Sequence, residues 1–580
     1  MPVLDQINSP ADLKKLSPEA LPELSRELRN FLIETILHSG GHFAGNLGVV
    51  ELTVALHYVL NSPEEPIIWD VGHQAYVHKI LTGRKELLNQ IRQTHGISGF
   101  PKRGENIHDV FGTGHSSTAI SAALGFAVAQ QDQAPNSCIY TAVVGDGALT
   151  GGMAFEALNH AALSNTRLLV VVNDNSMGID PNTGAMNQML RNMQSGSPNW
   201  FTEMGFHYSG PVDGHDVLLL VRTLEALRHD SFPHVLHVKT IKGKGYEPAE
   251  KEQTRWHSTA AYVKLEPADK QPVKQVPKYQ DVFGETLCEL AALDQRVCGV
   301  TPAMPSGSGM RKAMDLYPDR FWDVGIAEQH AVTFSAALAL AGKIPFCSVY
   351  STFLQRAYDQ IIHDVALQQA PVIFCVDRAG LVGEDGPTHH GSFDLAFLQP
   401  IPGVVIAAPK DEAELRALMY TAMQDRSAPW FIRYPKGHGT GIAWDAALTC
   451  IQPGTGTILQ QGTRIALLTI GTTTAAAQAA ALASGLNPTV VHMRFLKPLD
   501  TALLKAVMNQ HEVLITVEDG SVIGGLGAAV ASFAAEEQWQ GQIIKLGIPD
   551  YFPAHGHNSD LQKEAGYDTA GILNALQTFA

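Results

Sequence analysis

Cysteine is scarce. Six cysteines in 580 residues, at positions 138, 288, 298, 347, 375 and 450, are too few for a disulfide framework, and none shows the C-x-x-C spacing of a zinc ribbon or a dithiol redox pair. Most sit in apolar runs, such as residues 344–350 and 371–377, and are expected to be small buried hydrophobes in a reducing compartment. Positive charge is also short: 41 Lys and Arg against 57 Asp and Glu leave a net charge of −16. No basic run is present that would neutralise phosphates along a duplex, so no nucleic-acid partner is expected. No apolar stretch approaches the roughly 18–20 residues of a membrane span, and the first residues, MPVLDQINSP, carry no basic-then-apolar leader. A cytoplasmic protein without membrane contact is the expectation.

The remaining composition, 45% hydrophobic and 17% charged, is that of a soluble globular chain. Its length exceeds what one core can serve, which predicts about three to four domains. Apolar runs of about five to seven residues alternate with helical patterns, the pattern of α/β domains with mainly parallel sheets. Residues 266–278 (EPADKQPVKQVPK) lack periodicity and read as a linker. Glycine and proline recur at 434–456, a weaker break. Three consecutive α/β domains follow, over residues 1–270, 279–440 and 441–580. In the last, strands are expected at 465–470, 490–495 and 513–517, and the glycine cluster at 524–527 reads as a tight turn rather than an anion cradle.

One βαβ unit carries chemistry. Residues 139–144 (IYTAVV) form an apolar strand candidate running into Gly145-Asp146-Gly147-Ala148; a helical stretch follows at 152–163, then a second apolar strand at 167–172 ending in Asn173-Asp174-Asn175. A right-handed crossover puts both strand ends on one edge of the sheet, where open α/β sheets bind ligands. Magnesium takes oxygen ligands, commonly one or two from protein and the rest from phosphates and water, so Asp146 and Asn175 suit a metal-bound diphosphate. Gly145 and Gly147 let the backbone approach closely. Gly114-His115-Ser116, before a small-residue helix at 117–130, would offer amides at a helix N-terminus to the same anion. The GDG turn alone is commonplace. Followed 29 residues on by Asn175, across a helix and a strand, it is the thiamine diphosphate pattern.

Longer motifs extend the match: SGGHFA (39–44), WDVGHQAYVHKILTGR (69–84), GHSST (114–118), GDGALTGGMAFEALNHA (145–161), PVDGHD (211–216), KGKGYEPAE (242–250), IAEQHAVTFSAALA (326–339), YSTFLQRAYDQ (350–360), DRAGLVGEDGPTHHG (377–391) and MRFLKPLD (493–500). With these the chain resembles the 1-deoxy-D-xylulose-5-phosphate synthases, a transketolase-like family of thiamine diphosphate enzymes. The resemblance implies a transketolase-like fold, magnesium and thiamine diphosphate as cofactors, a homodimer, and condensation of pyruvate with D-glyceraldehyde 3-phosphate. That reaction releases CO2 and opens the non-mevalonate route to isoprenoid precursors, also feeding thiamine and pyridoxal synthesis. It makes Glu328 the carboxyl that bonds the cofactor's aminopyrimidine. It places His73, Gly114, His115, Ser116, Gly147, Ala148, Asn175 and Tyr246 at the cofactor, and adds a carbonyl of Met177 to Asp146 and Asn175 as metal ligands. His42, His73, His257 and His389, with Arg356, match catalytic positions, where histidine suits proton transfer near neutrality. Arg378, Lys436, Tyr350 and Asp385 match the surroundings of the aldehyde's phosphate.

The chain also departs from the family pattern. Gly45 stands where the family has Ser, and Gly178 where Ser is common. Lys436 replaces the usual Arg, keeping the charge but losing the bidentate fork, so phosphate binding weaker than in relatives is expected. Only about 28 residues separate Asn175 from Met204, fewer than the family carries over its active site. Two other readings stay open: transketolase-type ketol transfer between sugar phosphates, and a short-lid paralogue with altered or no activity.

Overall fold

The computed structural model describes residues 2–130, 138–230, 232–260 and 276–579. Of the expected linker at 266–278, only Val276, Pro277 and Lys278 fall among them. The chain divides into two compact units, residues 1–270 with 325–327, and 271–324 with 328–580.

The first unit is built on a five-stranded sheet of β1 (Ile67–Trp69), β2 (Tyr140–Gly145), β3 (Leu168–Asp174), β4 (His207–Asp213) and β5 (His234–Lys239), in the order β1-β2-β3-β5-β4. Every pairing is parallel. Alternate residues of a strand point to opposite faces: Trp69, Val143, Leu169 and Val171 enter one core, and Ile68, Ala142, Val144, Val170 and Val172 the other. A sheet buried on both faces explains why these strands read as continuous apolar runs rather than as alternation.

The second unit holds two sheets. Seven strands, β6 (Val297–Thr301), β7 (Phe321–Asp323), β8 (Ile344–Tyr350), β9 (Ile373–Asp377), β10 (Val405–Ala407), β11 (Trp430–Arg433) and β15 (Phe495–Lys497), lie in the order β15-β10-β11-β9-β8-β6-β7. The other sheet, from β12 (Thr457–Gln460), β13 (Arg464–Thr469), β14 (Thr489–His492), β16 (His511–Ser521) and β17 (Gln542–Ile548), runs β12-β14-β13-β16-β17. In these two sheets β15 pairs antiparallel with β10 and β12 with β14, and the other described strand pairings are parallel.

The expected single strand at 490–495 is two. Arg494 takes a left-handed φ of 56°, which turns the chain out of β14 and sends β15 into the neighbouring sheet. One core cluster contains Phe374 and Phe431 together with Leu468, Val491 and Leu514, so the two sheets share one core while each packs a further core of its own. Four cysteines are buried as expected; Cys138 is half-buried and Cys450 is exposed. Among the described residues no helix is long and apolar enough to cross a membrane.

The glycine cluster at 524–527 is a strand-to-helix turn, and it cradles an anion of the chain's own. Leu526 and Gly527 donate their N–H groups to the two Glu518 oxygens at 2.8 and 2.9 Å, and a Cβ on Gly525 would lie 1.8 Å from Glu518 Oε2. Burial outweighs these bonds and pushes the Glu518 carboxyl from its ordinary 4.5 up to about 7. A carboxyl raised on folding contributes fully below its ordinary value, and that contribution is lost as the pH rises through about 7. Glu518→Gln is therefore expected to gain stability relative to the parent between pH 5 and 8, by up to about 3 kcal/mol. Thermal unfolding of both proteins at the two pH values checks this; a difference in Tm that does not change with pH contradicts it.

Candidate active site

The two ends of the first βαβ unit meet as the crossover rule requires. β2 and β3 are adjacent, with Gly145 opposite Asn173, and the Asp146 N–H donates to the Asn173 carbonyl at 3.1 Å. The Asp146 carboxylate is buried; it accepts N–H bonds from Gly147 at 3.0 Å and Ser176 at 2.6 Å. Asn175 Oδ1 accepts from Met177 N–H at 3.0 Å. Burial, and then the charge of neighbouring Asp174, push the Asp146 carboxyl up to about 7. A divalent cation would reverse this balance, and the oxygens of Asp146, Asn175 and the Met177 main chain are the hard donors that magnesium takes. Among the described residues no group of three His, Cys, Asp or Glu is placed to hold a metal.

The glycine-histidine-serine turn lies beside Gly147 and Ala148. Ser117 Oγ donates to the Ala148 carbonyl at 2.7 Å, tying the turn at 114–118 to Gly147 and Ala148. The helix itself begins at Ala119. Asp70, buried at the end of β1, takes the N–H groups of Ser117 and Ala119 at 2.7 and 3.0 Å. Gly114, His115 and Ser116 keep their place before the helix; its N-terminus belongs to Asp70.

Three of the four expected histidines converge. The His42 ring centroid lies 5.7 Å from His73 and 5.8 Å from His257, and His73 lies 5.3 Å from His257. Two-residue strands Gly41–His42 and Ser258–Thr259 pair antiparallel and set this distance. Asn46, a residue the sequence reading passed over, fixes the geometry: its amide donates to the carbonyls of His42 and His73 and accepts from Tyr76 N–H. Tyr246 packs its ring on Phe43 and Trp256. Lys242, also passed over, is buried and donates to the Gly178 carbonyl at 2.5 Å, bracing the loop after Asn175; burial lowers it to about 8.

In the second unit Glu328 is the first residue of helix Glu328–Leu340 and is buried. Arg356 Nη1 donates to its Oε2 at 3.2 Å. Burial raises the Glu328 carboxyl above its ordinary value against the lowering effect of Arg356. Arg378 lies 4.2 Å over the Tyr350 ring, Tyr350 stacks on Phe353, and Phe353 meets His389 edge-on at 5.5 Å. Arg378 also binds Asp377 and donates to Gln280 Oε1 at 2.8 Å. Lys436 donates to the Val382 carbonyl at 3.1 Å and to Glu384 at 3.3 Å, with Asp385 at 3.7 Å.

Comparison with known proteins covers the segments that carry both constellations. The N-terminal model of 1-deoxy-D-xylulose-5-phosphate synthase matches residues 4–199 and 196–240, the pyrimidine-binding domain of transketolase matches 275–440, and the transketolase C-terminal domain 454–572. A 1-deoxy-D-xylulose-5-phosphate synthase of Cytophaga hutchinsonii is 47% identical over 100% of this chain and 98% of that protein. Those of Chlorobium luteolum and Methylococcus capsulatus are 47% and 46% identical over 100% of this chain and 98% and 96% of theirs. The chain belongs to the 1-deoxy-D-xylulose-5-phosphate synthase family. A solved transketolase from Leishmania mexicana, 17% identical over 97% of each chain, superposes with a TM-score of only 0.44, and the fold assignment rests on the sheets and the family models. Membership implies thiamine diphosphate as cofactor.

Against the synthases the departures take a physical form. Alignments with the relatives run to 626, 622 and 617 positions, while this chain has 580 residues. The family model breaks at 196–199, inside the short segment after Asn175. That segment folds into helices Gly184–Asn192 and Trp200–Met204, which with their connection line a cavity of about 280 Å³ at Met189, Met193 and Trp200. At Gly45 a Cβ would stand 3.0 Å from His73 Nε2, so the missing side chain leaves room for that ring. At Gly178 it would meet Asn182 Oδ1 at 3.1 Å.

Proposed function

We propose that the two constellations divide the work of the synthase reaction, in which pyruvate loses CO2 and its remaining two carbons join D-glyceraldehyde 3-phosphate as 1-deoxy-D-xylulose 5-phosphate. The observation that carries this reading is that both constellations are intact in a chain aligned from end to end with synthases. Asp146, Asn175 and the Met177 carbonyl would hold magnesium, and Gly114, His115, Ser116, Gly147 and Ala148 line the diphosphate's place. When bound, thiamine diphosphate supplies a thiazolium that accepts the electron pair left by decarboxylation. Glu328 holds a proton for the aminopyrimidine, and Arg356 orients that carboxyl. His42, His73 and His257 lie close enough together to pass protons among themselves and a bound substrate, and His389 is a further proton-transfer residue. Arg378, Tyr350, Lys436 and Asp385 receive the aldehyde's phosphate.

Ketol transfer is the weaker reading, because the model matching the first 240 residues describes synthases and not transketolases. A silent paralogue has no use for the buried Glu328–Arg356 pair. Large apolar side chains left exposed, among them Met153, Phe155, Leu340 and Leu367, support a homodimer. The mostly buried free cysteines support a cytoplasmic setting. The division at about 270 and 440 into diphosphate-binding, aminopyrimidine-binding and C-terminal domains belongs to the same proposal. Calorimetric titration with thiamine diphosphate tests the cofactor assignment: saturable binding in magnesium and none after chelation are expected, and equal binding in both would overturn it.

A further inference from the structure

The cations assigned to the acceptor's phosphate do not stand free. Arg378 is fixed on three sides, by Asp377, by Gln280 and by the Tyr350 ring. Lys436 is the adjustable one: it is half-buried on a flexible stem, and its three N–H donors face the Val382 carbonyl, Glu384 Oε2 and Asp385 Oδ2. The two cations therefore face three carboxylates, an unwelcoming balance for a phosphate dianion. The backbone before Glu384 is constrained: Gly383 has a left-handed φ of 82° and its Cβ position lies 3.2 Å from the Gly556 carbonyl. An arginine would hold a carboxylate on one edge of its fork and a phosphate on the other, but the three donors of the Lys436 ammonium are already directed at Val382, Glu384 and Asp385, so a phosphate must displace one of them.

We infer that Glu384 is a specificity-determining residue: it competes with the acceptor's phosphate for Lys436 and so sets how strongly this enzyme prefers a phosphorylated aldehyde over its uncharged counterpart. The inference rests on the assignment of Lys436 to the acceptor phosphate. An aldehyde without phosphate makes no demand on Lys436, so Glu384 affects one class of acceptor and not the other. Because the Lys436–Glu384 pair is partly exposed and screened, the effect is a severalfold one.

The experiment is steady-state kinetics of the holoenzyme with pyruvate and either D-glyceraldehyde 3-phosphate or D-glyceraldehyde. Glu384→Gln is expected to lower KM for the phosphorylated aldehyde about three- to fivefold, with kcat and the KM values for pyruvate and D-glyceraldehyde unchanged. Glu384→Asp should stay near the parent. In a Lys436→Arg background the Glu384→Gln effect should shrink, because the fork serves both partners. Equal changes for both aldehydes would show a merely structural role, and no change for either would show that Glu384 does not compete; each overturns the inference. Lys436→Ala separates the two levels. If it leaves the preference between aldehydes unaltered, the phosphate assignment itself fails; if it abolishes the preference while Glu384→Gln does nothing, only the role of Glu384 falls.

Discussion

Glu328→Ala is expected to lower turnover with pyruvate and D-glyceraldehyde 3-phosphate about 10²- to 10⁴-fold, the range over which a positioned proton donor acts, while magnesium-dependent cofactor binding persists. The carboxyl is buried at a helix start, and burial raises it in spite of Arg356 3.2 Å away. A buried carboxyl raised in this way holds a proton more readily than an ordinary surface glutamate and is the better hydrogen-bond donor. Alanine removes the donor but leaves every oxygen around Asp146 and Asn175 in place. Arg356 keeps partial access to solvent (side chain 19% exposed), so its charge is not stranded by the change. Turnover measured beside calorimetric cofactor binding checks the expectation. A kcat within about threefold of the parent would remove Glu328 from the chemistry, because proton-transfer roles are worth far more than that.

Asp146→Ala is expected to produce the opposite division. Even the outer partners of metal ligands cost about 10- to 100-fold in affinity when removed, so loss of the only carboxylate in this oxygen set should weaken magnesium-dependent cofactor binding by more than about 100-fold. Activity then fails because the cofactor is not held. The fold should survive: the buried Asp146 charge is opposed by burial and by Asp174, and its removal relieves that repulsion even as it strands the N–H groups of Gly147 and Ser176. Thermal unfolding of the cofactor-free variant, expected close to the parent, distinguishes loss of the site from loss of the protein. Undiminished binding in this variant would remove Asp146 from the metal.

What the sequence made legible follows from distance along the chain. The βαβ unit could be read because its strands are fully buried runs separated by one helix, and parallel topology alone brings Asp146 and Asn175 to one sheet edge. His42, His73 and His257 could not be gathered by spacing, since a two-residue strand pairing joins segments more than 200 residues apart; only the family motifs pointed to them. Asp70 was missed for the same reason: a carboxylate capping a helix 47 residues away leaves no local pattern. The run 490–495 looked like one strand because apolarity does not record the left-handed turn at Arg494. The glycines at 524–527 were read correctly as a turn, but their partner, Glu518, lies on the preceding strand and becomes visible only once the strand is folded against them. The short segment after Asn175 needed only counting, and the break in the family match falls within it.

The central claim is that this chain consumes pyruvate and joins two of its carbons to a sugar phosphate. Holoenzyme given pyruvate labelled at its carboxyl carbon, with D-glyceraldehyde 3-phosphate and magnesium, is expected to release one labelled CO2 for each unlabelled 1-deoxy-D-xylulose 5-phosphate formed, and to release none from a ketose phosphate donor. Product formed from the ketose donor without CO2, or no five-carbon product from pyruvate with the cofactor demonstrably bound, would contradict it.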